Sequence, residues 1–502
     1  MKPTDIGVPE YFHKVVDCQW ACPAHTPVPE YIRLIAAGRY DDAYMVNWHS
    51  NVFPGILGRT CDRPCEPACR RGRVEENNGE KPEPVAICRL KRVAADNKGD
   101  VRARMPKPAA KGNGKRIACI GAGPASLTVA RDLAPLGYHV TVFDQDPRAG
   151  GMIWSQIPRF RLPMEVIDEE VGYILDLGVE FRGGVKINSM KELIEQSYDA
   201  IFVGSGAPRG RDLDIPGRRE AAKNIHIGID WLSSVSFGHT DKIGKRVIVL
   251  GGGNTAMDCC RSSKRLGGED VKVIVRSGFD EMKASPWEKE DAQHEGIPIL
   301  NYLVPKAFEH EKGKLTGMTF QKVKAVRDEK GRRSLIPTGE PDQRFECDDV
   351  LVAVGQENAF PWIERDAGIQ FDAHGMPVVD KVTMQSTQPE VFFGGDSAFG
   401  PKNIIWAVAH GHDAAISIDK LLNGEEADLR THLTAPARNP TQDIYVSGPL
   451  RTGKIMAKDE DVCLHCGLCA ERCPTGAWDM QKFLLDLTHA GHGCRTPQKK
   501  AA

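Results

Sequence analysis

The chain has 502 residues, 27% charged and 41% hydrophobic, with a net charge of −2. That balance, with no basic arm, argues against a general nucleic-acid binder. No apolar run reaches the roughly 18 residues a membrane helix needs, and MKPTDIGVPEYFHKVV lacks the apolar core of a signal peptide, so a cytoplasmic protein with no membrane span is expected. Fifteen cysteines are many for such a chain. Most are clustered, which favours metal ligation over disulfides in a reducing compartment.

In chain order, residues 1–108 hold six cysteines, and VPEYIRLIAAGRYDDAYMVNWH places apolar residues at helical spacing. VRARMPKPAAKGNGK reads as a linker. From Arg116 to about Gly424 strands and helices alternate, which predicts an α/β fold built on parallel sheets. ADLRTHLTAPARNPTQDIYVSGPL has no period and reads as a second connector. The run CLHCGLCAERCP, Cys463 to Pro474, follows it.

Two dinucleotide fingerprints lie in the α/β part. In RIACIGAGPASLTVARDLAPLGYHVTVFDQD the strand Arg116–Ile120 is followed by Gly121, Gly123 and Ser126. The first glycine permits the tight turn and the second lets backbone approach a pyrophosphate. The third small residue lets helix and strand pack closely. Pro124 opens the helix, whose N-terminus faces the phosphates, and Asp144 ends the next strand, placed to accept from a ribose hydroxyl. In KRVIVLGGGNTAMDCCRSSKRLGGEDVKVIVR, Gly251, Gly253 and Ala256 take the same roles, with Asn254 beside them. Here the second strand ends in Arg276, which suits a 2′-phosphate, but Ser277 leaves the basic clamp incomplete. NAD and NADP both stay open. Two such sites suggest a flavoprotein in which NAD(P) meets FAD.

Cys463, Cys466, Cys469 and Cys473 have the close spacing of an iron–sulfur cluster run ending in Cys-Pro. Cys494 is an alternative fourth ligand, and a zinc knuckle is the competing reading. Cys119 reads as core. Cys259 and Cys260 are adjacent on a helix, so they diverge and cannot form a C-x-x-C relay. Cys347 is expected at the surface or a strand edge. His410 and His412 are expected to pack or face solvent.

The segments ACPAHTPVPEYIRLI, GRTCDRPCEPACRRG, EPVAICRLKRVAAD, GAGPASL, GGMIWSQIPRFRLP, GGGNTAMDC and FFGGDSAFGPKNI together resemble the small-subunit (β-chain) flavoproteins of glutamate synthase. The same module occurs in dihydropyrimidine dehydrogenase and in ferredoxin:NADP transhydrogenases. The resemblance implies a helical iron–sulfur domain at 1–108. It implies an FAD domain at 109–240 plus 373–430, interrupted by an NAD(P) domain at 241–372. A linker with a ferredoxin-like [4Fe-4S] segment would fill 431–502. It implies that Gly151, Gly395 and Asp396 help hold FAD, with Asp396 on the ribityl chain and the following helix pointing its N-terminus at the flavin. It also implies one N-terminal cluster on Cys22, Cys61, Cys65 and Cys88, with Cys18 and Cys69 left as remnants of a second cluster or as free thiols.

The cofactors define a converter of electron number, so no acid–base catalytic residue is expected. No glutaminase, pyrimidine barrel or thiamine-diphosphate domain is visible in the sequence. The chain is therefore expected to serve other subunits of an oxidoreductase complex, such as a 2-oxoacid:acceptor oxidoreductase, possibly through a ferredoxin-like subunit. The alternatives are a glutamate synthase β-chain and a non-enzymatic cluster-bearing scaffold.

Overall fold

A computed structural model of the chain describes residues 17–73, 83–328 and 332–424. The described residues form two compact units, one within 17–107, 380–384 and 403–424, the other within 108–379 and 385–402.

The first unit is helical: α1 (Asp17–Ala21), α2 (Val28–Ala36), α3 (Tyr40–Asn51), α4 (Pro54–Thr60) and α5 (Ile87–Asn97). Prolines set two of the entries. Pro27 precedes α2, and Pro29 and Pro54 sit in first turns, where a missing N–H costs nothing. Val28, Tyr31, Leu34, Ala43, Ile87 and Ala94 form a shared core. Gly58 in α4 lets α5 approach, since a Cβ there would lie 2.8 Å from the Arg92 backbone. The helix Ile404–Leu422 belongs to this unit, and its His412 Nε2 lies 2.8 Å from the Ser50 carbonyl. His410 is buried and His412 half-buried, within the expectation that each packs or faces solvent.

The second unit begins with β1 (Arg116–Ile120), α6 (Pro124–Leu133), β2 (His139–Asp144), β3 (Glu180–Gly183) and β4 (Ala200–Val203). The chain then crosses through β5 (Arg209–Gly210) into β6 (Ile225–Ile227), β7 (Arg246–Leu250), α7 (Asn254–Arg265), β8 (Asp270–Ile274), α8 (Pro286–His294) and β9 (Ile299–Leu300). An antiparallel sheet follows, built from β10 (Leu303–Glu311), β11 (Lys314–Arg327), β12 (Arg333–Pro337) and β13 (Gln343–Glu346). The chain returns through β14 (Asp349–Val352), β15 (Gln356–Glu357) and β16 (Val391–Phe393).

The first parallel sheet has the order β16-β4-β1-β2-β3 and the second β6-β14-β7-β8-β9. Their central strands are buried nearly end to end, as strands covered on both faces must be. The two crossing segments pair as a two-stranded ribbon, β5 with β15, with Gln356 opposite Gly210.

Two expectations move. β6 pairs with β14 in the second sheet, so that domain starts before Ile225, upstream of residue 241. Its edge strand precedes the glycine fingerprint that marks it in sequence. Cys347 is fully buried rather than at the surface, in the core with Phe308, Leu315, Met318 and Phe320. Its neighbours Glu346 and Asp348 turn outward to Arg246, and the thiol turns in. Cys119 is buried as expected. Among the described residues no helix is long and apolar enough to cross a membrane.

Candidate dinucleotide sites and cluster cradle

At the end of β1, Gly121 adopts φ +90°, and a Cβ there would lie 2.7 Å from the Gly204 carbonyl. The fold itself demands this glycine. Gly123 is different. It caps α6 with an ordinary φ of −77°, and the nearest protein atom to a Cβ, Gly204 O, is 3.9 Å away. The space above it is open, which is what a pyrophosphate at a helix N-terminus needs. Pro124 takes the first helical position.

Ser126 is fully buried, and its hydroxyl, like that of Ser205, has no partner. Such orphaned groups suit a site that a polar ligand completes. Gly151, at φ +54°, packs against Gly123, with a virtual Cβ 2.8 Å from the Gly123 Cα.

The acids frame this cradle. Asp144 is buried and accepts from the Ala122 N–H at 2.5 Å and the Asp146 N–H at 2.9 Å. It therefore braces the glycine turn, and its second set of lone pairs remains for a ribose hydroxyl. Burial raises its pKa, and the two N–H groups work against that.

Asp396 follows β16, which pairs with β4, which pairs with β1. It therefore lies at the same strand-end edge as Gly121. Its Oδ1 accepts from the Lys402 N–H at 3.0 Å, while Asn358 donates to its carbonyl at 2.7 Å. Gly395 turns the chain with φ +63°. The Ser397 hydroxyl bonds the Val203 carbonyl at 2.7 Å and so pins this segment to β4.

The second cradle repeats the logic. Gly251 sits at φ +138°, where a Cβ would meet the Ala353 carbonyl at 2.1 Å. A Cβ on Gly253 would meet nothing within 4 Å. Ala256 is fully buried in the first turn of α7. Asn254 is engaged locally, its Oδ1 accepting from the Ser285 N–H at 2.8 Å, so it shapes the loop over the helix start. β8 ends at Ile274, and Arg276 lies exposed two residues beyond, on the edge that carries Gly251. Cys259 and Cys260 are fully buried, their thiols near the Gly228 and Met257 carbonyls, and burial raises both pKa values.

In the helical unit Cys22, Cys61, Cys65 and Cys88 are all buried. Cys22 directly follows α1, Cys61 caps the C-terminus of α4, Cys65 lies in the turn beyond it and Cys88 stands in the first turn of α5. The Arg63 N–H points at the Cys61 sulfur at 3.4 Å. The Thr26 hydroxyl lies 3.4 Å from the Cys22 sulfur. Lys91, one turn after Cys88 on α5, is buried among them, and all four sulfurs act on its charge. Soft thiols with one buried cation fit an anionic iron–sulfur cluster. Among the described residues no three His, Cys, Asp or Glu side chains are close enough for a single metal ion. Cys18 and Cys69 are half-buried neighbours, and burial pushes Cys18 up to about 12. Cys463, Cys466, Cys469, Cys473 and Cys494 lie outside the described residues.

Arg161, Glu288, Lys91 and Ser205 were not singled out in the sequence. Arg161 lies in the RFRLP segment, where nothing local in sequence supplies it a partner.

Residues 115–411 match the pyridine nucleotide-disulphide oxidoreductase family. Residues 12–102 match dihydropyrimidine dehydrogenase domain II, 4Fe-4S cluster, and 456–479 a 4Fe-4S binding domain. The beta subunit of NADP(+)-dependent formate dehydrogenase from Moorella thermoacetica is 36% identical, over 90% of this chain and 64% of its own length. The beta subunit of NADPH-Fe(3+) oxidoreductase from Geobacter sulfurreducens is 31% identical over 85% and 67%. The glutamate synthase [NADPH] small chain of Azospirillum brasilense is 31% identical over 80% of this chain and 85% of its own.

Among solved structures, FprA from Mycobacterium tuberculosis (His57Gln mutant) aligns with TM-score 0.51 and 20% identity, over 62% of this chain and 84% of that one, a likeness of fold. These matches give the chain FAD, a nicotinamide dinucleotide and [4Fe-4S] clusters toward both ends, which removes the zinc reading of the C-terminal run. The chain belongs to the pyridine nucleotide-disulphide oxidoreductase family, in the branch that holds the glutamate synthase small chain and its relatives among oxidoreductase subunits.

Proposed function

We propose that the chain is the NADP(H)-reactive electron-transfer subunit of a larger oxidoreductase. The observation that carries this is the pair of open cradles over Gly123 and Gly253, on two sheets of one unit, each at a helix N-terminus. Gly121, Gly123, Pro124, Ser126, Asp144, Gly151, Gly395 and Asp396 would hold FAD. Gly251, Gly253 and Ala256 would hold the dinucleotide, with Asn254 shaping its loop. Arg276 would meet a 2′-phosphate, and this supports NADP over NAD. Cys22, Cys61, Cys65 and Cys88 would hold one cluster and Cys463, Cys466, Cys469 and Cys473 another.

When bound, FAD exchanges two electrons as a hydride with the dinucleotide and single electrons with the clusters. The protein supplies orientation and a dry site. Buried Cys259 and Cys260 offer no thiol relay, so clusters, not a disulfide, would take the electrons onward.

The partner is proposed to be a substrate-oxidising or substrate-reducing subunit. The relatives of formate dehydrogenase and metal-reducing type favour it, as does the added C-terminal cluster segment. The glutamate synthase reading is favoured by its fuller overlap, 85% of the small chain's length. Anaerobic purification of the native protein with mass spectrometry of what stays bound separates them. A glutamine-amidotransferase-type large subunit would establish the second reading and overturn the first. Titration with NADPH and with NADH tests the core reading. Loss of the flavin absorbance with NADPH is expected, and no bleaching with either nucleotide would leave only a scaffold.

A further inference from the structure

Arg161 joins the two dinucleotide domains by a forked ion pair. Its Nη1 donates to both oxygens of Asp258, at 2.6 and 2.8 Å. Its Nη2 pairs with Glu288 Oε1 at 2.5 Å. The three side chains are 11%, 9% and 4% exposed.

The partners' positions matter. Arg161 sits ten residues after Gly151, the glycine packed against Gly123 in the first cradle. Asp258 lies one turn into α7, whose N-terminus is the second cradle, and Glu288 lies in the first turn of α8. One guanidinium thus ties the first phosphate loop to the helix that would carry the second phosphate group. Arg261 of α7 extends the network to Glu288 at 3.2 Å and Glu295 at 2.9 Å. Beside it, the Phe160 ring is covered by the Arg265 guanidinium at 3.8 Å.

The covalent crossing between the domains is only the short β5–β15 ribbon. A two-stranded ribbon fixes a line of attachment and leaves rotation about it. A buried arginine whose two terminal nitrogens donate to two carboxylates restricts that freedom, because its planar fork meets them in one orientation. Hydride transfer demands that orientation, since donor and acceptor must stand about 3–3.5 Å apart.

We propose that Arg161 is a positioning residue for hydride transfer, clamping α7 through Asp258 and Glu288 so that the dinucleotide domain is held in register with the flavin domain. The role rests on the function proposed above.

The test uses the full-length, cofactor-loaded protein, anaerobically, with wild type, Arg161→Met and Arg161→Lys. Three quantities are read: the limiting rate of flavin reduction at saturating NADPH, the affinity for NADP+, and light-driven flavin reduction without nucleotide. The expected result for Arg161→Met is a limiting rate lower by roughly a hundredfold, the scale of an ångström misplacement. NADP+ affinity and photoreduction should be unchanged. Arg161→Lys should fall between, since a lysine keeps the charge and loses the fork. A limiting rate at the wild-type level overturns the proposal, and so does a slowing that saturating NADPH abolishes. If Arg161→Met takes up no flavin, Asp258→Asn is read by the same arms, since it leaves Arg161 its Glu288 partner. A wild-type chain whose flavin no nicotinamide nucleotide reduces would overturn the underlying function and this role with it. A reducible wild type matched by its variants overturns the role alone.

Discussion

At the scale of single residues, the glycines of each fingerprint divide into two kinds. Gly121 and Gly251 answer to the fold, and Gly123 and Gly253, in the function proposed above, to what would bind. Gly253→Val should therefore abolish NADP+ binding while leaving the melting temperature within about a degree, because surface-like positions with free space cost little. Calorimetric titration beside a thermal melt checks both halves.

Lys91 makes a second case. A buried ammonium among the four cysteines proposed as ligands would stabilise the more negative, reduced form of a cluster held there. Lys91→Met should move the cluster midpoint potential downward, read by EPR-monitored redox titration.

Asp413, on the helix Ile404–Leu422, is raised by burial to about 6 from 3.8. A carboxyl raised on folding keeps its proton in the folded state, so stability is lost as pH climbs from about 4 to about 6. The ceiling on that loss is about 3 kcal/mol. Asp413→Asn should remove this slope and raise the melting temperature at pH 7 more than at pH 4, as paired melts would show.

At the scale of elements, what was legible in the sequence was what is local. Strand, turn, helix and strand of each fingerprint fall within about thirty residues, so periodicity and glycine spacing reveal them. β1, α6, β2 and β7, α7, β8 lie where those patterns put them. What escaped was set by distant partners. β6 is a strand because β14 pairs with it, and it joins the second sheet from upstream of that sheet's fingerprint. Cys347 is expected at the surface or a strand edge, but its acidic neighbours pair outward with Arg246 and the thiol lies in the core. Arg161 and Asp258 stand 97 positions apart, a separation no local pattern spans. The same distinction predicts where substitution hurts most. Gly251→Ala places a methyl 2.1 Å from a carbonyl in a positive-φ turn, so β7 and β14 must part. The melting temperature should fall by several degrees even without ligand, the opposite of Gly253→Val.

At the scale of the whole molecule, the cradles are parts of a holoprotein, and ligand binding adds directly to folding free energy. At a hundredfold excess over its dissociation constant a ligand contributes about 2.7 kcal/mol. FAD addition to flavin-stripped protein should raise the melting transition of residues 108–379 in a concentration-dependent way, and a melt that ignores FAD would contradict the assignment of the first cradle.

The paired ribbon β5–β15 has one more consequence. Because Arg209–Gly210 lies against Gln356–Glu357, the inserted segment leaves and re-enters its host at a single point. A segment with touching ends behaves as a cassette. It packs around its own core, and a sequence exchanged between these four residues closes no new loop in the host. Transplanting this one block should therefore re-specify cofactor preference, provided the newcomer keeps an acid facing Arg161.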